Sequence, residues 1–421
     1  MRCLLKKIIY ATAKKSVVLR KFFRSSINLK RKVKYLKYYL FNKVDDKLVL
    51  FEVFGGKSFA DSPKALYNEM LKNKKYKDYH FVWSFKDVSS HEDEFINKPR
   101  TILVKENSKM YFKYYAKAKY IIVNSYVNEG FIKKDEQILV QCWHGTPLKK
   151  LRYDILVNGN VLNTVKEIRK KNDLEVKKFD YFLSPSAFAT EKFISAFNLK
   201  KLKKENIILE KGYPRNDFLF NYTKNDVKKI KEKLGIKTNK KIILYAPTFR
   251  DDQHTNGVGY TYELGIDFDK LQKEIGEDYI ILFRAHYFVA NLFDFSKYEN
   301  FIYNVSSLDD INELYVISDM ILTDYSSVFF DYANLKRPML FYMYDIDNYK
   351  DNLRGFYIDL DVLPGPIVKC EKELIKEIKN VDNYFKKYQD KYDKFNKTYN
   401  YLDGKNVSKK VLDEIIKWKG D

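Results

Sequence analysis

The sequence predicts an α/β protein: two doubly wound, Rossmann-like domains in series, a cleft between them, and a basic amphipathic helical segment in front. Three observations predict it. From Lys47 onward, short β-prone runs alternate with helical patterns. Those runs are apolar throughout rather than alternating, as in parallel sheets covered by helices on both faces. The 421 residues exceed what one compact core holds and suit two domains of ordinary size. The expected division is 1–45 for the basic segment, 46–200 and 201–370 for the two domains, and 371–421 for charged helices that brace them.

The net charge of +22 is local. Residues 1–43 hold fourteen Lys or Arg and no Asp or Glu, leaving about +8 for the rest of the chain. Leu29, Val33, Leu36 and Leu40 recur at helical spacing with Arg31, Lys32, Lys34 and Lys37 between them. Phe22 and Phe23 lie among Arg20, Lys21 and Arg24. Such a helix suits an anionic membrane surface, where each cation adds up to about 1 kcal/mol. Packing on the protein body is the alternative. Nucleic-acid binding is not expected, because the aromatics follow core spacing rather than interleaving with cations on one surface.

No run of 18 apolar residues appears, nor a signal-peptide h-region. Cys3, Cys142 and Cys370 are too far apart for a disulfide framework or a zinc site. The expectation is a peripheral protein on the cytoplasmic face of the membrane.

In the first series, strands are expected at 48–54, 80–85, 101–104, 120–124 and 137–142, with helices at 63–71 and 109–119. A second series is expected to begin at 181–183 and to continue through 207–210, 242–245, 279–283, 301–303, 320–322 and 339–342. Helices at 187–197, 227–234, 311–317 and 327–335 separate its strands. His80 lies in an apolar strand run and is expected in the core. His91 and His254 fall in polar loops.

Several strand ends carry residues suited to chemistry. Trp143-His144-Gly145-Thr146-Pro147 follows a strand, which puts the imidazole at the carboxyl edge of a parallel sheet. Its ordinary pKa suits it to take a proton from a hydroxyl, although a structural turn histidine fits equally. Arg284-Ala285-His286 ends another strand and could grip a pyrophosphate or form a surface ion pair. Thr323-Asp324-Tyr325-Ser326-Ser327 joins a strand to a helix; it reads as an anion site or as a simple N-cap. Gly212-Tyr213-Pro214-Arg215-Asn216-Asp217 and Ala246-Pro247-Thr248-Phe249-Arg250 are strand-end turns bearing an arginine. Asp251-Asp252 resembles a metal pair only superficially, and no metal is expected.

In this order, the WHGTP, SPS, GYPRND, YAPTFR, RAH and TDYSSVFFDYANLKRP segments resemble the CDP-glycerol glycerophosphotransferase family, the teichoic acid polyol-phosphate transferases of the TagB, TagF and TarL type. The likeness covers roughly residues 48 to 362. It implies a GT-B fold, CDP-glycerol or CDP-ribitol as donor, no cofactor, and an undecaprenyl-diphosphate-linked glycan as acceptor. It implies that His144 is the base and that His286 stands against the donor pyrophosphate. Arg284, Asp324, Ser326, Ser327, Thr248, Arg250 and Arg215 match the donor-phosphate region. Gly55, Ser62 and Pro63 resemble the element that faces the acceptor in the first domain. About 45 residues precede the first strand, which by the same resemblance points to a primase-like or short polymerase form. A GT-B glycosyltransferase using a nucleotide sugar and a non-enzymatic membrane scaffold are the competing readings.

Overall fold

The computed structural model describes residues 17–155, 164–248, 254–255, 259–260, 265–285, 294–346 and 355–416. A long helix, α1 (Val17–Phe41), leads into seven strands. These are β1 (Asp45–Glu52), β2 (His80–Phe85), β3 (Thr101–Lys105), β4 (Ala118–Val123), β5 (Ile138–Gln141), β6 (Tyr181–Ser184) and β7 (Ile208–Glu210). They form one parallel sheet in the order β3-β2-β1-β4-β5-β6-β7. Helices α2 (Asp61–Lys72), α3 (Lys109–Lys117), α4 (Val165–Val176) and α5 (Ala187–Ala196) cover it. The central strand shows why these runs are apolar throughout. Val49 and Phe51 enter the core on one face while Leu48 and Leu50 enter the core on the other.

Helices α6 (Asp217–Asn221) and α7 (Lys224–Lys233) lead to the second sheet. Its strands are β8 (Lys241–Ala246), β11 (Tyr279–Phe283), β12 (Ile302–Asn304), β13 (Met320–Thr323), β14 (Met339–Tyr342) and β15 (Ile367–Val368), parallel in the order β12-β11-β8-β13-β14-β15. A two-residue hairpin, β9 (His254–Thr255) with β10 (Gly259–Tyr260), follows β8. Helices α8 (Phe268–Ile275), α9 (Ile311–Ile317), α10 (Val328–Tyr332) and α11 (Glu371–Lys379) complete this lobe. In the tail, α12 (Tyr384–Tyr399) puts Tyr392 and Phe395 into the second lobe's core. The last helix, α13 (Val407–Ile415), returns to bury Val411 and Leu412 in the first lobe. Two Rossmann-like lobes of parallel sheet and covering helices make the GT-B arrangement.

The second series does not begin at Tyr181, and a division at residue 200 cuts the first lobe. β6 pairs with β5 through Val140↔Tyr181, and β7 pairs with β6 through Leu183↔Leu209, so both extend the first sheet. Alternating strand and helix patterns look the same on either side of a domain boundary; only the pairing hydrogen bonds separate them. The helix expected at 327–335 is shorter, five α residues followed by a 3₁₀ turn over Ala333–Leu335. His80 opens β2 with its side chain exposed rather than buried, because it precedes the covered part of the strand.

Helix α1 divides its two sides. Tyr35 is buried against Phe112 and Phe131, and Tyr38 stacks on Phe112 at 6.3 Å. Leu29, Val33, Leu36 and Leu40 all face outward, with Val33 62% exposed and Leu40 64% exposed. Among the described residues, no helix is long and apolar enough to cross a membrane.

Candidate active site

The loop after β5 carries an unusual backbone. Trp143 adopts φ 53°, a left-handed conformation that costs a bulky residue of order 1–3 kcal/mol. Local bonds hold it there: Trp143 N–H donates to Gln141 Oε1 at 2.9 Å, and the indole packs edge-on against Phe197 at 4.9 Å. The turn delivers His144 to the carboxyl edge of the first sheet.

His144 Nδ1 lies 2.8 Å from the carbonyl oxygen of Asn124 at the end of β4. A carbonyl can only accept, so Nδ1 carries the proton and Nε2 is left as the basic nitrogen. The ring is open to the cleft yet closely surrounded, by Trp143 at 4.2 Å and Phe54 at 5.8 Å. That crowding removes water and pushes the pKa below imidazole's ordinary value. The Asn124 bond and the Asp61 carboxylate act the other way, while Arg215 and Arg152 add to the lowering. The balance is a lowered pKa, which favours the neutral imidazole.

The second lobe meets this loop directly. A Cβ placed on Gly145 would stand 2.8 Å from Ser327 Oγ, so a larger residue would need the serine hydroxyl to move. Ser326 and Ser327 are half-buried, at the start of α10. Asp324 is buried, and its Oδ1 accepts from Thr248 N–H at 2.8 Å and Tyr325 N–H at 2.6 Å. It therefore binds the ends of β8 and β13 together. With five residues, α10 adds little dipole, so anion affinity here would rest on local N–H and hydroxyl groups.

Other expected residues take different roles. Arg215 does not face a phosphate. It is buried, donating to Asp61 Oδ1 and Asp331 Oδ1 at 3.1 Å each and lying 4.0 Å above the Tyr213 ring. Its two carboxylates raise its pKa against the desolvation. Arg284 turns its guanidinium onto carbonyls, Leu308 at 2.5 Å and Asp309 at 3.4 Å, and so shapes the 305–309 loop. Ser62 and Pro63 are buried in the first turn of α2. Gly55 stays at the rim, φ 62°, with its N–H on Ser125 Oγ at 3.1 Å. His286 and Arg250 lie outside the described residues, as do Asp251 and Asp252. Among the described residues, no group of three or more His, Cys, Asp or Glu could hold a metal ion.

Two contacts escaped sequence reasoning. Asp61 accepts from Asn124 Nδ2 at 2.8 Å as well as from Arg215, which links Asp331 in the second lobe to the residue that holds His144. His91 is no incidental loop residue. It stacks on Phe85 at 4.1 Å and puts Nε2 3.0 Å from Asp309 Oδ2, which also accepts Phe59 N–H at 2.6 Å. Lys64 reinforces the contact through Asp310 at 2.9 Å and Glu313 at 3.5 Å. No local signal marks either contact, since Arg215 lies 154 residues from Asp61 and Asp309 lies 218 residues from His91 along the chain.

Residues 33–417 match the family model described as CDP-Glycerol:Poly(glycerophosphate) glycerophosphotransferase. The chain is 41% identical over 379 residues to the teichoic acid poly(glycerol phosphate) polymerase of Staphylococcus epidermidis, covering 89% of this chain but 51% of that protein. It is also 41% identical to the polymerase of the same name from Bacillus spizizenii, covering 88% of this chain and 92% of that one. The chain thus spans about half of the first relative and nearly all of the second. Among solved structures, the wall teichoic acid polymerase TagF, with one histidine replaced by asparagine and soaked with CDPG, superposes with a TM-score of 0.83 at 40% identity. That match covers 94% of this chain and 96% of the chain in that structure. A family model matched over residues 33–417 and a relative 41% identical over nearly its whole length lead to one conclusion: the chain belongs to the CDP-glycerol:poly(glycerophosphate) glycerophosphotransferase family.

Proposed function

We propose that this chain transfers a polyol phosphate, glycerol phosphate or ribitol phosphate, from its CDP-activated form to a hydroxyl of a lipid-linked teichoic-acid-type acceptor. The observation that carries this reading is the tautomer of His144. Its Nδ1–H is committed to the Asn124 carbonyl, and Nε2 remains to take a proton where the two lobes meet.

The acceptor oxygen attacks the β-phosphorus of the CDP-polyol as His144 Nε2 removes its proton. The bond from that phosphorus to the bridging oxygen breaks, and the electron pair leaves with CMP. General base help is worth roughly 10²–10⁴-fold in rate. Ser326 and Ser327, beside the His144 loop, suit the donor phosphates; His286 and Arg250 join them by their match to the family motifs. Asp324 positions these loops rather than touching the donor.

The outward face of α1, with Leu29, Val33, Leu36 and Leu40 flanked by exposed Lys32, Lys34 and Lys37, suits an anionic membrane surface. It would hold the enzyme beside an undecaprenyl-linked acceptor on the cytoplasmic side.

Product analysis tests the reading. Incubation with CDP-glycerol, CDP-ribitol and UDP-sugars, each with a synthetic lipid-linked acceptor, should release CMP from a CDP-polyol and extend the acceptor by polyol phosphate. Release of UDP would turn the assignment to a glycosyltransferase. His144→Ala should abolish turnover while CDP-polyol binding stays nearly intact.

A further inference from the structure

The face of α4 that looks away from the first sheet carries a row of cations unused by the site described above. Lys166, Arg169, Lys170, Leu174 and Lys177 recur at intervals of three and four, so they share one helical face about 16 Å long. With Tyr153 they line a groove of 730 Å³. Among the described residues, the one carboxylate in its wall, Asp173, accepts from the Tyr153 hydroxyl at 2.7 Å. Arg169 donates to the Tyr153 carbonyl at 3.0 Å and lies 5.1 Å over its ring, which fixes the guanidinium at the groove wall. Among the described residues, Lys166, Lys170 and Lys177 have no carboxylate partner. The groove is therefore cationic and open.

Its position ties it to both ends of the proposed reaction. Toward the cleft, Arg152, next to Tyr153, lies 5.6 Å from the Trp143 ring, whose neighbour is His144. Toward α1, Lys171 on the same helix pairs with Glu129 at 2.7 Å, and Glu129 also accepts from Asn28 of α1. The helix thus lies between the contacts of α1 and those of the His144 loop.

We propose that the α4 groove binds the already formed part of an anionic polyol-phosphate chain, with Lys166, Arg169, Lys170 and Lys177 on successive phosphodiesters. This rests on the polyol-phosphate transferase reading above. A polyanion needs repeated, separated cations rather than one deep pocket, and their contribution falls with salt because releasing counterions gains less entropy as the salt concentration rises. The groove acts on long acceptors and not on the chemical step.

The test uses the full chain carrying Lys166→Gln, Lys170→Gln and Lys177→Gln together; exposed substitutions of this kind leave folding within about 0.5 kcal/mol each. The probe is fluorescently labelled poly(glycerol phosphate) without lipid, followed by anisotropy. The triple variant should bind about 10-fold more weakly and with a shallower salt dependence. Turnover of a lipid-linked acceptor bearing a single unit should stay unchanged, while KM for long acceptors rises. Equal polymer affinity for variant and wild type would overturn the proposal. So would a variant that loses binding to anionic vesicles while keeping the polymer, because the row would then be a membrane contact. If the wild type released CMP from neither CDP-polyol, the transferase reading would fail on its own, whatever the anisotropy gave.

Discussion

Gly145 in the first lobe and Ser327 in the second approach so closely that a Cβ on Gly145 would sit 2.8 Å from the serine Oγ. Gly145→Ala should therefore destabilise the contact between the lobes by about 1 kcal/mol, the low end of the cost of overpacking, because the serine hydroxyl can rotate. Adding Ser327→Ala should restore most of that loss. A double-mutant cycle in urea checks the coupling, and strict additivity would deny the contact.

Arg215 ties the same lobes from within. Its guanidinium stands between Asp61 and Asp331, and removing it leaves two buried carboxylates facing each other. Arg215→Met should cost about 3–5 kcal/mol, the range for breaking a buried ion pair from one side. Urea denaturation measures it. Catalysis should suffer as well, since Asp61 also positions Asn124 and hence His144.

The pH profile follows from His144. With its folded pKa below the ordinary 6.5, the acid limb of kcat/KM should fall below that pH, and the enzyme should be fully active at neutrality. Arg152 contributes to the lowering, so Arg152→Gln should move the limb upward. For stability the sign is the reverse of a histidine that gains a partner. The unfolded chain binds this proton more readily, so the group costs stability as pH drops through 6.5 toward the folded value.

Glu52 provides a test that needs no substrate. It ends β1 fully buried, and desolvation raises its pKa to about 7 against the help of Ser84, Tyr115 and Tyr111. The folded protein holds this proton more tightly than the unfolded one, so its ionisation erodes stability as pH rises from about 4.5 through about 7. Glu52→Gln should raise stability at pH 8 by about 1–3 kcal/mol and have little effect at pH 4.5. Melting curves at the two pH values check it. An equal gain at both would point to packing instead.

Strand β11 and helix α9 are legible to the residue because each is a short apolar run or stripe bounded by polar residues, Asp278 and Arg284 for the strand, Asp310 and Ser318 for the helix. His144 is legible for a similar reason: its position after an apolar strand and before Gly-Thr-Pro is a local fact. Arg215 looks the same in sequence as a phosphate-binding arginine at a strand end. Nothing near it in the chain reveals that Asp61 and Asp331 will close on it. His91 is hidden in the same way, since Asp309 arrives from the other lobe.

By itself, then, the sequence determined the alternating α/β elements, the basic amphipathic helix in front and the strand-end motifs, because periodicity, turn residues and local spacing are properties of neighbours along the chain. Tertiary structure alone decided that β6 and β7 extend the first sheet, that Arg215 and His91 join the lobes, and that Gly145 touches Ser327. Those outcomes depend on hydrogen bonds, ion pairs and close approaches between segments far apart in sequence, whose energies exist only once both partners are in place.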